Sequence, residues 1–356
     1  MLGVSFVSCG IVKGDTVMEY GDYKITEAMY SYWIASFKPY FLLEYGSSES
    51  YDGFWAQQCP DGRTYAQFFY DFVNSYAKKV LVCMKLYDEY GLSISDETRK
   101  LIDERIDELT NSYGGKKEIN AYLSSYGLNV KTLEKIYYEE AKVDVVTEYL
   151  VGSGGPQEIT ETYKEEYYNA NYFCVNWIYI YTEKKPDTSK GNGDNANSDY
   201  TMIDLTEQEK AEKKQLVDDI LTKLAAGESF AGLKARYCEQ KNDDGTSPFD
   251  YYPNGINLSA NSYDVYGVEF IKTVQGMEIG TYATYTDEYA TRIIVRNPLV
   301  KFSDLTPQEY SFMVDFEKYV IDAKMEEYLA GVEITKYDDV AGRYNVDQIN
   351  SISMSF

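Results

Sequence analysis

The side chains that could carry chemistry in this chain are acids, tyrosines and a few cysteines, because the sequence contains no histidine. Imidazole is the commonest protein ligand for zinc and the usual general base beside a catalytic serine or cysteine. The sequence therefore excludes zinc sites built on histidine and Ser-His or Cys-His nucleophiles. Any catalysis has to use other groups.

Adjacent acidic residues recur along the chain, at 165–166, 243–244 and 338–339. Neighbouring side chains point in different directions on a helix or a strand, so such pairs do not converge on one ion or substrate. The segment NDDGTSPFD at 242–250 lacks the alternating acids and the terminal glutamate of an EF-hand loop. We interpret these acids as solvated surface and expect no metal site and no cofactor.

The overall composition is acidic and rich in tyrosine. The 58 acidic residues outnumber the 34 basic ones, which leaves a net charge of −24. Such a surface repels phosphate backbones and anionic lipid headgroups, so we expect no nucleic-acid partner. The 38 tyrosines exceed what a core needs, and a phenol ring is amphipathic, so many should lie on half-exposed contact surfaces. This composition favours a peptide-binding or adhesive protein.

The first residues, MLGVSFVSCG, form an apolar run that ends in small residues and a cysteine. This pattern resembles a bacterial lipobox, in which the cysteine is lipidated and becomes the mature N-terminus. It predicts lipidation at Cys9 and makes residues 1–16 a signal-peptide remnant, lipobox and tether; a chance apolar start is the alternative. No later stretch approaches the ~20 apolar residues of a membrane span. We therefore expect an extracytoplasmic body tethered to the outer face of a bacterial membrane through its lipid anchor only.

The other cysteines form an even set. Their spacings match no metal or redox motif, and their pairing cannot be deduced from sequence. They are Cys59, Cys83, Cys174 and Cys238.

Hydrophobic periodicity predicts a helical unit in the first half of the chain. Residues 17–26 are typical of a short extended segment with a turn at Gly21-Asp22, and Thr26 can cap a helix through Tyr40. Helical spacing predicts further helices over 64–91, from Ser95, over 116–126 and over 130–151. The sequence GSGGP at 152–156 is the strongest breaker cluster and ends this run.

The second half begins with one more helix, over 159–170, and then the periodicity changes to two in NYFCVNWIYIYT at 171–182. The polar tract 184–200 is predicted to be a loop. Thr206 and Glu209 form a capping box for a helix that ends at Gly227. Further elements are predicted in this order: a helix over 228–240, a loop over 240–262, a helix over 263–274, and two strands over 281–297 joined at 287–288.

A last helix is predicted from Thr306 to about Gly331. Thr306 and Glu309 form a capping box with Pro307 at the first helical position. Its apolar stripe consists of Phe312, Phe316 and Val320.

The order of these elements resembles a known family. The phrases NWIYI, AGESFAGLKARYC and GMEIGTYATYTDEYATRIIVRN resemble, in order, the strand, helix and closing hairpin of a parvulin-type peptidyl-prolyl isomerase domain. With its flanks, the chain is similar to extracytoplasmic foldases of the PrsA and SurA type. The resemblance implies an α+β fold, in which a discontinuous helical chaperone domain (17–172 and 300–340) carries an inserted parvulin-like domain (173–299), a small antiparallel sheet flanked by helices. Residues 341–356 are left as a tail.

Both family histidines are replaced. Their positions correspond to Trp177 and Arg292. The resemblance places an apolar proline pocket and two hydrogen-bond donors in the same domain; the alternatives are the buried face of an amphipathic helix, an exposed tyrosine and a solvated arginine. The pocket residues are Val265, Tyr266, Phe270 and Met277, and the donors are Tyr252 and Arg292.

The resemblance implies a membrane-anchored foldase that binds unfolded, newly exported proteins and proline-containing peptides. Rotation about a prolyl bond has a barrier of about 20 kcal/mol, and desolvation plus a donor to the twisting carbonyl can lower it. The missing imidazoles therefore predict weak or absent isomerase activity. Two alternatives stay open: a competent peptidyl-prolyl isomerase, and a carbohydrate-binding or adhesive lipoprotein whose tyrosines and tryptophans stack on sugar rings.

Overall fold

The structure, a computed structural model, describes residues 14–45, 47, 53–59, 62–187, 202–240, 252 and 254–354. Cys9 and the acidic pair 243–244 lie outside the described residues. The chain divides into two compact units. Unit 1 combines Met1–Ile159 with Tyr319–Phe356, and unit 2 is Thr160–Lys318.

Unit 1 begins with the predicted hairpin and a run of helices. Strands β1 (Thr16–Tyr20) and β2 (Tyr23–Thr26) pair antiparallel, and Gly21 in the turn has φ +62°, a conformation that glycine adopts without strain. Thr26 caps the next helix, as predicted. The helices of this part are α1 (Glu27–Glu44), α2 (Tyr65–Glu89), α3 (Asp96–Ser112), α4 (Lys116–Leu123) and α5 (Val130–Val151).

Several tyrosines of unit 1 lie in its core and not on a contact surface. Tyr30, Tyr32 and Tyr137 are each at most 1 % exposed. A buried phenol needs a hydrogen-bond partner for its hydroxyl. Tyr30 finds one in Asn74 Oδ1 at 2.9 Å, and the other two donate to the backbone carbonyl of Met354.

Unit 2 is built on an antiparallel sheet. Its four strands are in the order β6-β3-β8-β7, with every neighbouring pair antiparallel. The α+β class predicted from the sequence is confirmed. The elements of this part are α6 (Glu161–Asn171), β3 (Tyr172–Tyr181), β4 (Lys184–Pro186), β5 (Met202–Asp204), α7 (Glu207–Ala225), α8 (Phe230–Tyr237), β6 (Ile256–Ser259), α9 (Tyr263–Tyr266), α10 (Val268–Gln275), β7 (Tyr282–Thr286), β8 (Ala290–Asn297) and α11 (Pro307–Phe312). Helix α12 (Phe316–Ala330) begins in unit 2, and from Tyr319 onward it belongs to unit 1.

Some element predictions in unit 2 are wrong. The loop predicted over 240–262 contains β6, whose four residues are all buried and show no alternation. The tract 184–200 begins with β4, which pairs with β5. The helix predicted over 263–274 breaks at Gly267, where φ is +82°. The helix predicted from Thr306 breaks before α12, where Asp315 has φ +59°. The capping boxes at Thr206 and Thr306 are confirmed.

The compact unit is larger than the predicted insert 173–299. It adds α6 and the segment 300–318 because aromatic rings from both flanks meet. Ring centroids lie 5.6 Å apart for Tyr168 and Tyr172, 5.5 Å for Tyr168 and Phe302, and 5.7 Å for Tyr172 and Phe316. These contacts join the flanks to the sheet domain.

The chain then returns to unit 1. Strand β9 (Thr335–Lys336) pairs antiparallel with β1, and helix α13 (Asp338–Ala341) follows. The predicted return segment 300–340 therefore belongs to unit 1 only from Tyr319 onward. The predicted tail 341–356 is also part of this unit, because Val346, Ile352 and Met354 are buried in its core.

Candidate functional site

The two residues at the family's histidine positions lie on one face of the sheet in unit 2. Arg292 on β8 pairs with Tyr179 on β3 and with Tyr285 on β7. Side chains two residues apart on a strand point to the same face, so Trp177 shares the face of Tyr179. The register thus brings Trp177 and Arg292 together, with the Arg292 guanidinium carbon 6.0 Å from the Trp177 ring centroid.

Arg292 is the centre of an aromatic cluster. Its guanidinium carbon lies 5.1 Å from the ring centroid of Tyr179 and 5.6 Å from that of Phe270. The side chain is only 18 % exposed and forms an ion pair with Asp287, so the alternative of a solvated arginine is wrong. Arg292 Nε is buried and has no hydrogen-bond partner among the described residues. A cation over several ring faces is attracted by their quadrupoles, and more strongly where water is excluded.

Asp287 is held by the turn between β7 and β8. Its Oδ1 accepts hydrogen bonds from the backbone N–H of Tyr289 at 2.8 Å and of Ala290 at 2.9 Å. Burial raises the pKa of Asp287, but these two bonds and the Arg292 guanidinium outweigh that effect and hold the pKa below its usual value. The turn predicted at 287–288 therefore also supplies the counter-ion of Arg292.

Trp177 fills the space beside this ion pair. The residue is 4 % exposed, and its ring centroid lies 5.7 Å from both Tyr266 and Phe270. The indole Nε1 donates a hydrogen bond to Gln240 Oε1 at 3.1 Å. An aromatic ring packed edge-on against two others and bonded at its polar atom has a fixed position.

The predicted pocket residues divide into buried and exposed groups. Phe270 is fully buried, while Tyr252, Tyr266 and Met277 are partly buried and pack against the same core. Val265 is 72 % exposed and does not belong to the buried face. The structure thus brings Trp177, Arg292, Tyr266 and Phe270 together, with Tyr252 and Met277 against the core around them.

Helix α10, which carries Phe270, is fixed to the sheet by an arginine of β8. Arg296 Nη1 donates to the carbonyls of Val274, Gln275 and Met277 at 3.0 to 3.1 Å. A cation at the C-terminal end of a helix satisfies carbonyls that have no intrahelical partner. Nothing in the spacing of the sequence indicated this contact.

Two tyrosines of this cluster have raised pKa values. Burial raises the pKa of Tyr179 and of Tyr266 to about 12, in both cases against the opposing effect of Arg292. Both phenols are therefore neutral at pH 7. A general acid or base works best with a pKa near the operating pH, so the cluster offers buried rings, an ion pair and hydrogen-bond donors, and its two buried phenols are poor proton-transfer groups at pH 7.

The described cysteines are buried. Cys83, Cys174 and Cys238 form no disulfide within the part of the chain that the structure describes. Burial raises the pKa of Cys83 and of Cys174 to about 12, which leaves them protonated and unreactive. Cys59 Sγ lies 3.0 Å from the carbonyl of Arg63.

The acidic pairs that the structure describes lie at the surface. Glu165, Glu166, Asp338 and Asp339 are solvent-exposed or nearly so. Within the described ranges no three histidine, cysteine or acidic side chains are placed to hold a metal ion.

A second candidate feature is a groove in unit 1. It has a volume of about 510 Å³ and lies between α2 and α12. Its apolar floor includes Phe72, which is 46 % exposed, and Met325. The ion pair of Lys79 and Asp322, 3.5 Å between Nζ and Oδ1, lies at its side. A cleft of this size accepts side chains of a bound peptide.

The chain was compared with protein-family models, with curated proteins and with solved structures, and only solved structures match it. No protein-family model matches the chain, and no curated protein matches it. Among solved structures, PrsA from Bacillus subtilis is 15 % identical, with 81 % of this chain and 96 % of that chain covered and a TM-score of 0.26. The peptidylprolyl isomerase PrsA from Bacillus cereus is 17 % identical, with 81 % and 96 % covered and a TM-score of 0.27.

A third solved structure, the foldase protein PrsA from Streptococcus pneumoniae, is 14 % identical, with 82 % of this chain and 98 % of that chain covered and a TM-score of 0.24.

Proposed function

We propose that this protein is an extracytoplasmic foldase that binds unfolded exported polypeptides and carries a degenerate peptidyl-prolyl isomerase domain in unit 2. The observation that carries the proposal is the cluster of Trp177 and Arg292. These two side chains stand at the positions that match the family's histidines, share one sheet face and fill it with an indole and a paired guanidinium.

The geometry of this cluster supports weak isomerisation. A proline ring has to enter an apolar pocket where its amide loses water. Here Phe270 and Trp177 are buried against each other, and the cation and carboxylate of Arg292 and Asp287 resist desolvation. On this sheet face the indole takes up apolar space and the ion pair adds charge, so we expect proline binding to be poor.

Chaperone activity needs no such pocket. The groove between α2 and α12 offers the exposed ring of Phe72 and the partly buried Tyr76 to a client chain, above the buried Met325 and Leu329. Apolar side chains of an unfolded protein bury area against such a surface at about 25 cal/mol per Å². This supports client binding by unit 1 that is independent of the isomerase cluster.

A competent isomerase is the second candidate, and one observation favours it. Arg292 Nε is a buried N–H without a hydrogen-bond partner among the described residues. A donor of this kind can stabilise the carbonyl of a twisting amide. It would have to act beside Asp287, whose lowered pKa keeps a negative charge in the site.

Two assays on the full chain test the division of labour. The first follows cis-to-trans conversion of a proline tetrapeptide, and the second follows aggregation of a reduced client protein. We expect turnover at least about 100-fold below that of a histidine-bearing parvulin, since one general acid-base or donor group contributes about that factor, together with full suppression of aggregation.

The double variant Trp177→His/Arg292→His should raise turnover without changing the suppression of aggregation. Glu165→Gln, an exposed change in unit 2, is the control. Wild-type turnover equal to that of an ordinary parvulin would favour the second candidate, and failure to suppress aggregation would remove the foldase proposal.

Membrane attachment is a further part of the proposal. No helix among the described residues is long and apolar enough to span a membrane. Lipidation at Cys9, together with a second membrane contact or a second chain, would supply a tether. Cys9→Ala in cells that produce the natural precursor should move the protein from the membrane fraction to the soluble fraction; the same distribution for both proteins would contradict lipidation at Cys9.

A further inference from the structure

The segment 344–354 crosses unit 1 without forming a helix or a strand. It nevertheless buries three apolar side chains: Val346, Ile352 and Met354 are each at most 1 % exposed. A segment without regular secondary structure has to find hydrogen-bond partners for its backbone elsewhere. The partners of this segment therefore show what the surface beneath it recognises.

Lys38 of α1 binds two backbone carbonyls of the segment. Its Nζ lies 2.9 Å from the carbonyl oxygen of Val346 and 2.7 Å from that of Ile349. The side chain is only 5 % exposed, and a buried ammonium requires strong acceptors to replace its water. The main chain of the segment supplies them.

Tyrosine hydroxyls bind three further carbonyls of the segment. They come from α1, α2, α5 and the turn Ser124–Tyr126, so four parts of unit 1 converge on a backbone that turns over 345–349 and then runs without regular structure to residue 354. The contacts are Tyr70 to Tyr344 O at 2.9 Å, Tyr126 to Ser351 O at 3.2 Å, Tyr32 to Met354 O at 2.7 Å, and Tyr137 to the same Met354 oxygen.

One backbone N–H of the segment binds a carbonyl that α1 leaves open. Pro39 lies inside α1 and has no N–H, so the carbonyl of Ala35, four residues earlier, has no donor at the usual position. Ile352 N–H donates to this oxygen at 3.0 Å. The proline thus leaves a helix carbonyl able to accept a hydrogen bond from the segment.

These contacts recognise main chain more than sequence. The side chains that matter are three apolar anchors at positions 346, 352 and 354, and residues 347, 348 and 350 are exposed. Main-chain bonds with pockets for a few anchor side chains are a general way to hold extended peptides. An unfolded chain that forms a similar turn and carries apolar residues at this spacing presents the same groups.

An open groove lies beside the start of the segment. It has a volume of about 490 Å³ and is lined by Tyr30, Tyr70, Asn74 and Tyr344 among others. An incoming chain can occupy this groove while the segment is still bound, and can then replace the segment residue by residue.

We propose that the segment 344–354 occupies, within its own chain, a docking site for polypeptide without regular secondary structure, and that an unfolded client takes its place. The inference rests on the foldase function proposed above and adds the site and the mode of recognition. Replacement exchanges one set of main-chain bonds and buried anchors for another. The segment is therefore an intramolecular competitor. The apparent affinity for clients equals the intrinsic affinity multiplied by the fraction of molecules in which the segment is released.

Hydrogen exchange on the full chain tests the replacement directly. Reduced, carboxymethylated lactalbumin serves as the unfolded client, and exchange is read by mass spectrometry with and without it. We expect faster exchange over 344–354 when the client is bound, with unchanged exchange in β3. Client binding that leaves exchange over 344–354 unchanged overturns the inference while the foldase function stands.

A peptide experiment tests the site without depending on clients. The probe is a synthetic peptide of residues 343–354, with a scrambled peptide as its control. Ile352→Asn removes one anchor of the resident segment, so this variant should bind the peptide roughly tenfold more tightly than wild type does. Gln348→Ala, an exposed change in the same segment, should bind it like wild type.

The outcomes separate the two proposals. Equal and negligible peptide binding by wild type and a folded Ile352→Asn variant overturns the docking site, whatever the clients do. Peptide binding by the variant together with failure to bind lactalbumin keeps the site and removes the foldase function. Circular dichroism of each variant shows whether it is folded.

Discussion

Glu140 on α5 is a partly buried carboxylate of unit 1 whose two hydrogen-bond donors among the described residues, Trp33 and Tyr76, are neutral. It accepts hydrogen bonds from Trp33 Nε1 at 2.8 Å and from the Tyr76 hydroxyl at 3.3 Å. Burial raises its pKa to about 7, although these two bonds lower it, and the neighbouring Asp144 raises it further. Tyr76 also lines the groove between α2 and α12. The carboxylate of Glu140 therefore lies one hydrogen bond away from the proposed client surface.

The raised pKa predicts that unit 1 loses stability as the pH rises. The folded state binds the proton of Glu140 more tightly than the unfolded chain, so the favourable contribution is complete below about pH 4 and disappears as the pH rises through about 7. Glu140→Gln keeps an acceptor for Trp33 and removes the titration. We expect this variant to exceed wild type at pH 8 by about 1–3 kcal/mol in free energy of unfolding, and to show no such gain at pH 5.

Urea unfolding at the two pH values measures this difference. Glu148→Gln, an exposed change on the same helix, should show no pH-dependent gain. An equal gain for Glu140→Gln at pH 5 and pH 8 would show that its effect is one of packing and not of titration.

At the residue scale the sequence could indicate positions but not surroundings. The motif resemblance picked out Trp177 and Arg292, and the strand register brings them together. It could not indicate that Asp287 pairs with Arg292, because that pair depends on the shape of the β7–β8 turn. Nor could it indicate that the arginine lies beside Phe270, because that contact depends on how α10 packs on the sheet. Val265 was predicted to line the pocket, but it lies in α9, just before the helix break at Gly267, and is 72 % exposed.

At the scale of elements, periodicity and capping chemistry were sufficient for the long helices. The capping boxes at Thr206 and Thr306 are formed as expected, since their signal is local. Strand β6 could not be predicted, because its four residues are all buried and so show no alternation of apolar and polar side chains. Its strand conformation depends on pairing with β3. Breaks such as the one at Asp315 also depend on tertiary packing.

Pro39 leaves the Ala35 carbonyl of α1 without its usual helix donor, and the Ile352 N–H of the segment 344–354 bonds to it. Pro39→Ala restores the N–H that bonds to the Ala35 carbonyl within α1, so Ile352 N–H has to compete for this acceptor. A hydrogen bond contributes about 1 kcal/mol, and we therefore expect the Ile352 amide to exchange several-fold faster in the variant. Helix α1 should become more stable, since alanine is favoured over proline in a helix interior by about 3 kcal/mol.

Hydrogen exchange resolved to single amides measures the effect. Pro307→Ala is the matched control, because Pro307 lies in the first turn of α11, where an N–H has no intrahelical partner. It should leave the Ile352 amide unchanged. An Ile352 amide equally protected in Pro39→Ala and in wild type would show that the Ala35 carbonyl is not essential for docking the segment.

At the scale of the whole molecule, unit 1 is discontinuous and closes across an insert. Strand β9 pairs with β1, the Tyr337 hydroxyl donates to Glu19 Oε1 at 2.7 Å, and Arg343 Nη1 donates to Asp15 Oδ2 at 2.6 Å. These contacts join residues more than 300 positions apart in the chain. The entropic cost of closing such a loop grows only slowly with its length, so a folded insert is tolerated.

The boundary of the insert decides whether it folds alone. The sequence placed it at 173–299, where the periodicity changes, but the aromatic rings of Tyr168, Tyr172, Phe302 and Phe316 extend the compact unit to Thr160–Lys318. A fragment of 173–299 lacks these rings. Loss of a large buried aromatic side chain costs about 3–5 kcal/mol, which is a large part of the stability of a small domain.

We therefore expect the fragment 160–318 to unfold cooperatively in urea and the fragment 173–299 to be largely unfolded in buffer, as followed by circular dichroism. Within the fragment 160–318, Phe302→Ala should lower the urea midpoint of unfolding, because it removes the ring that contacts both Tyr168 and Phe316. Glu165→Gln, an exposed change on α6, should leave the midpoint unchanged. Equal stability of the two fragments would mean that the aromatic flanks are dispensable and that the period change at residue 173 marks the true edge of the folding unit.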